Sequence, residues 1–119
     1  MILTIGDREY ELDFGLDFIA TLDKFYTAKE GGLEFGVGVD MAISYMKMEN
    51  PTVLVSLIKA GTSHLKSKPS NEDINEFLTE LAKSDKLSDL YKEFEESMEV
   101  APFLKGKLKQ VSQAIEKQQ

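Results

Sequence analysis

Three features of the sequence hold residue types that do chemistry. The first is a run of glycines, Gly31, Gly32, Gly36 and Gly38. Gly31 and Gly36 have the gap of a Walker loop, whose backbone N–H groups cradle phosphate while a following Lys reaches it. Val37 stands where that Lys is needed. Gly36-Val37-Gly38 begins a dinucleotide fingerprint, but Met41 occupies the third Gly position and no strand is expected before it. The run therefore reads as a flexible loop between two helices. The second feature is His64, the single histidine. With no Cys and no second His, a metal site would need carboxylates brought together by folding. Ser63 and His64 are chain neighbours whose side chains diverge, so they are not a nucleophilic pair, and His64 reads as a solvated loop residue. The third is a set of ten acids within residues 72–99. Paired carboxylates can serve general acid–base chemistry, but these acids lie opposite apolar stripes and read as solvated helix faces. No catalytic, cofactor-binding or metal-ligating constellation remains. The residues describe a non-enzymatic protein with no cofactor and no small-molecule substrate.

The elements that would position such groups follow from periodicity. Residues 1–14 read as a β-hairpin, with Gly6-Asp7 as a two-residue turn and Tyr10, Leu12 and Phe14 on one face. A lone hairpin is marginal in water and must pack on helices or on another chain. Helical stripes follow: Phe18, Ile19, Leu22, Phe25 and Tyr26, then Val39, Ala42, Ile43 and Met46. Asn50-Pro51 ends that second stripe and opens a third, with Val53, Leu54, Leu57 and Ile58, that Gly61 would cap. Thr62–Pro69 is a polar, basic loop. Ser70 with Asp73 resembles a capping box ahead of Ile74, Phe77, Leu78 and Leu81. Leu87, Leu90, Tyr91, Phe94 and Met98 form a further helix, and Pro102 opens the last. The expected fold is mainly α: an N-terminal β-hairpin followed by five to six short amphipathic helices in one compact domain. Residues 1–100 read as that domain and 101–119 as a basic C-terminal amphipathic helix appended to it.

Composition agrees with one soluble domain. The chain has 119 residues, no Cys, no Trp and a formal net charge of −7. Its ten acids at 72–99 face only Lys83, Lys86 and Lys92, a local sum of −7. From Phe103 onward the sum is +3, from Lys105, Lys107, Lys109 and Lys117 against Glu116. An acidic body argues against nucleic-acid binding, and no apolar run approaches the ~20 residues that span a membrane. Met1 to Asp7 carries no signal-like leader, so a cytoplasmic protein is expected. The polarity leaves room for contacts between copies, a homo-oligomer, or with another protein. Leu104, Leu108, Val111 and Ile115 fall at i, i+4, i+7 and i+11, a heptad-like seam flanked by Lys105 and Lys109. These six residues are the expected partner-binding set; the equal alternative is that the seam packs back onto its own domain. On the partner-binding reading, a chain ending at Val100 would stay folded and lose its partner. Met41, Met46 and Met48 read as core, or as adaptable surface where exposed.

Residues 14–28, Phe-Gly-Leu-Asp-Phe-Ile-Ala-Thr-Leu-Asp-Lys-Phe-Tyr-Thr-Ala, resemble the start of the tail assembly chaperones of long-tailed phages and prophages of Gram-positive bacteria. So do Phe35-Gly36-Val37-Gly38-Val39-Asp40-Met41-Ala42, Asn50-Pro51-Thr52-Val53-Leu54-Val55, Lys59-Ala60-Gly61-Thr62 and Lys68-Pro69-Ser70. The opening hairpin, the two acidic helices and the Lys-rich end fit the same pattern. The resemblance implies a non-catalytic protein that binds the tape measure protein in the host cytoplasm while tail tube protein polymerises around it, and that is absent from the virion. It also implies a longer product made by ribosomal frameshifting, with Gly106-Lys107 compatible with a slippery site and Gln119 ending the short form. Two other classes compete: a structural tail completion or adaptor protein, and a small acidic regulator such as an antitoxin or DNA-mimic inhibitor.

Overall fold

The computed structural model describes residues 1–118. The chain runs β1 (Ile2–Ile5), β2 (Arg8–Glu11), α1 (Leu16–Phe25), β3 (Thr27–Glu30), β4 (Leu33–Gly36), α2 (Gly38–Lys47), α3 (Thr52–Gly61), α4 (Asn71–Lys83), α5 (Leu87–Glu99) and α6 (Lys105–Gln118). It is mainly helical, with two separate antiparallel hairpins, β1–β2 and β3–β4.

The first hairpin turns at Gly6, whose φ of +63° suits the first central position of a primed turn. Its register sets Leu3 opposite Tyr10, and Leu3, Ile5, Tyr10 and Leu12 are buried while the intervening residues face solvent. The hairpin is not left alone: Asp13 N–H donates to the Gly61 carbonyl at 2.9 Å, tying it to the end of α3. Gly61 sits inside α3 and does not cap it in a left-handed conformation. A Cβ there would lie 2.8 Å from Leu12 Cδ2, so the glycine permits the hairpin's close approach.

Helix α3 is the centre of the core, with Val53, Leu54, Leu57 and Ile58 fully buried. Asn50 Oδ1 accepts from Thr52 N–H at 3.1 Å and caps its start next to Pro51. Ser70 Oγ accepts from Asp73 N–H at 3.0 Å and does the same for α4. Helices α2 and α4 end in Schellman motifs: Asn50 N–H reaches the Tyr45 carbonyl and Lys86 N–H the Leu81 carbonyl. Glu49 at φ +53° and Asp85 at φ +56° fill the left-handed seat that glycine normally takes. Around α3, Phe14 packs edge-on against Phe18 (4.9 Å between centroids) and Phe94 (6.2 Å), joining the first hairpin, α1 and α5.

Two stretches differ from expectation. The glycine-rich segment is a second hairpin, because Gly31 (φ +59°) and Gly32 (φ +81°) make a two-residue turn of the primed kind between four-residue strands. Of the two readings of residues 101–119, an appended helix or one packed back on the domain, the start of the segment follows the second: Ala101, Leu104 and Leu108 belong to the core that holds Phe94 and Ile43. Pro102 lies in the turn before α6, which starts at Lys105.

Candidate functional site

The expected partner-binding residues all lie on α6 or its leading turn. Leu104 and Leu108 are buried, Val111 and Ile115 are half-buried, and Lys105 and Lys109 are exposed. The seam lies against α2 and α5, and Lys107 Nζ pairs with Asp40 Oδ1 on α2 at 2.8 Å. The structure thus brings the four apolar residues together on one face, but that face is turned inward. With α6 in place, Lys105 and Lys109 remain open to a partner, while Leu104 and Leu108 do not.

The glycines Gly36 and Gly38 set a corner where β4 passes over α1. A Cβ on Gly36 would fall 2.4 Å from Asp23 Cβ, and one on Gly38 2.3 Å from the Leu22 carbonyl carbon. Asp23 Oδ1 accepts from Gly38 N–H at 2.9 Å. A cleft of about 320 Å³ lies beside this corner, lined by residues that include Asp23, Asp40, Phe103 and Lys107. Two carboxylates in its wall oppose a phosphate, and each is already committed, Asp23 to a backbone N–H and Asp40 to Lys107. The glycines serve close packing, not anion binding.

The other chemistry-bearing residues are equally occupied or solvated. His64 is exposed in its loop. Among the described residues, no group of three or more His, Asp or Glu is arranged to hold a metal. Of the acids at 72–99, Glu95 pairs with Lys47, and Glu80 with Lys83 at 3.7 Å. Tyr91 has its pKa raised above the usual 10.0 by burial and then by the charge of Glu49, which moves it further from neutrality. Among the described residues, no helix is long and apolar enough to cross a membrane.

What stands out instead is exposed apolar surface in two places. The first is the β3–β4 hairpin, a projecting arm in which every residue from Lys29 to Gly36 is exposed. Its register puts Ala28 with Phe35 and Glu30 with Leu33 on one face, where Leu33 is 69% and Phe35 44% exposed. Phe25, two residues before β3, is also exposed. The arm is anchored at its root: Val37 N–H donates to the Tyr26 carbonyl at 2.9 Å, and Tyr26 Oη is 3.0 Å from Ser56 Oγ. Sequence reasoning missed this arm, although Gly31-Gly32 between two strand-length runs is a hairpin signal. The second place is the α5–α6 corner, where Val100 is 79% and Phe103 59% exposed beside a cleft of about 450 Å³. Leu16, next to Gly15 in the wall of that cleft, is exposed as well.

The model of a family described as phage tail assembly chaperone protein, TAC, matches residues 2–113, and the chain belongs to that family. The match takes in both hairpins, α1 to α5 and the first nine residues of α6, Lys105 to Gln113. No curated protein and no solved structure gave a match.

Proposed function

We propose that this protein binds the tape measure protein of a long-tailed phage in the host cytoplasm, without catalysis, while tail tube protein polymerises around that client. Membership of the chaperone family supports the tail-assembly setting. The observation that carries the binding mode is the β3–β4 arm, which buries none of Lys29–Gly36 and exposes Leu33 and Phe35 on one face. A long helical client has an apolar seam that needs cover before the tube forms. Each Leu or Phe that the arm lays on such a seam contributes roughly 1.5–3 kcal/mol of burial. One arm is a weak binder, and many copies along one client convert weak contacts into avidity. Lys105 and Lys109 on α6 are exposed cations able to meet client acids. A longer frameshift product that shares this domain would present the same arm.

The test is co-expression with the tape measure gene, followed by affinity capture of the chaperone. The double variant Leu33→Ser, Phe35→Ser is expected to lose the client while its circular dichroism is unchanged. Capture of the client at the wild-type level by this variant would overturn the reading. Detection of the chain in purified virions would favour the structural tail component instead.

A further inference from the structure

We propose that α6 exchanges between two copies of this chain, so that Leu104, Leu108, Val111 and Ile115 of each pack on the α2–α5 groove of the other and Lys107 of each pairs with Asp40 of the other. The occupant is chosen by the structure itself. The groove already fits α6, down to the 2.8 Å ion pair between Lys107 and Asp40, and a second copy brings an identical helix. Exchange preserves these contacts, so its cost falls on the hinge and on association alone.

The hinge is suited to opening. Between the end of α5 at Glu99 and the buried Leu104 lie Val100, Ala101, Pro102 and Phe103. Three backbone hydrogen bonds fold it back: Ala101 N–H to the Met98 carbonyl, and Leu104 N–H and Lys105 N–H to the Ala101 carbonyl. Pro102 has no N–H to add to these bonds, and none of the four residues lies inside α5 or α6, so the segment can extend without breaking either helix. Val100 and Phe103 are among the most exposed apolar residues of the fold, and in an exchanged dimer the two hinges run past each other and cover them.

The helix is also held unevenly. Leu104 and Leu108 are buried, but Val111 and Ile115 are half-buried beside a gap of about 310 Å³ against Asp40 and Ser44 of α2. Its basic character suits the acidic body of either copy equally, since residues 72–99 sum to −7.

Charge reversal separates exchange from closure. Asp40→Lys and Lys107→Asp each place like charges in the groove, whether the chain is closed or exchanged. Co-refolded together, they restore one Asp–Lys pair and one Lys–Asp pair, but only in a dimer with one chain of each. The expected result is a 1:1 heterodimer of doubled mass by light scattering and native mass spectrometry, absent from either variant alone. A mixture that behaves as two monomers would overturn the proposal. Should a variant fail to fold, the absence of Cys offers a second route. Ser44→Cys and Val111→Cys, on separate chains, are mixed, co-refolded and oxidised. A crossed disulfide in excess of both homodisulfides supports exchange, and a statistical distribution refutes it. Neither experiment contains a client, so its outcome is independent of the tape measure reading.

Discussion

Tyr91 buries its ring on the inner face of α5, yet its hydroxyl has no hydrogen-bond partner among the described residues. An unpaired buried hydroxyl costs about 1–3 kcal/mol, so Tyr91→Phe is expected to raise the melting temperature. The same residue gives a pH dependence. Its pKa is raised in the folded state by burial and then by Glu49, so the neutral phenol is favoured by folding. That contribution is fully present below the ordinary value of 10.0 and is lost as pH rises through the folded value. Urea midpoints at pH 8 and pH 10.5 check this: wild type should fall between them by more than Tyr91→Phe does. An equal fall would assign the alkaline sensitivity to other groups.

Elements divide into those that build the core and one that does not. Leu104 is fully buried at the start of α6, so Leu104→Ala should cost about 2–5 kcal/mol in chemical denaturation. Leu33 on the arm is an equally apolar residue, yet Leu33→Ala should change stability by no more than about 0.5 kcal/mol. A chain cut after Val100 would lose Ala101, Leu104 and Leu108 from the core, so partner loss in such a chain would report unfolding as much as binding. These contrasts mark what the sequence made legible. The six helices and the first hairpin follow from periodicity because each must bury one face. The caps at Asn50 and Ser70 were readable because a side-chain oxygen at a helix start has one obvious use. The β3–β4 arm was hidden because it buries no residue from Lys29 to Gly36, so no inward stripe announces it. The Leu104 seam left two readings open, docking on its own domain or on a partner. A heptad-like stripe states that a face must be covered, and only the tertiary arrangement states by what.

On the scale of the whole molecule, charge is segregated. The acids of α4 and α5 gather on two neighbouring helices, while α6 is basic. The Lys47–Glu95 and Lys107–Asp40 pairs cross between elements, but most of the acids at 72–99 face solvent beside others of their sign. Raising ionic strength from ~0.01 to ~0.15 M shortens the screening length from about 30 to about 8 Å. The melting temperature should therefore rise as the self-repulsion of a −7 chain is screened. A fall in the same salt series would show that the cross-element ion pairs outweigh that repulsion.

The glycine corner at the root of the arm carries one more consequence. Gly36 and Gly38 seat the chain against α1 so closely that no larger side chain fits, and Tyr26 pins the other strand to α3 and α2. The direction in which the arm leaves the domain is therefore set at its root when the domain folds. The root, already packed, has no conformational freedom left to lose on contact. In the client binding proposed above, an arm aimed from its root should dock at a rate set by diffusion and orientation, with selectivity expressed in how long the complex lasts.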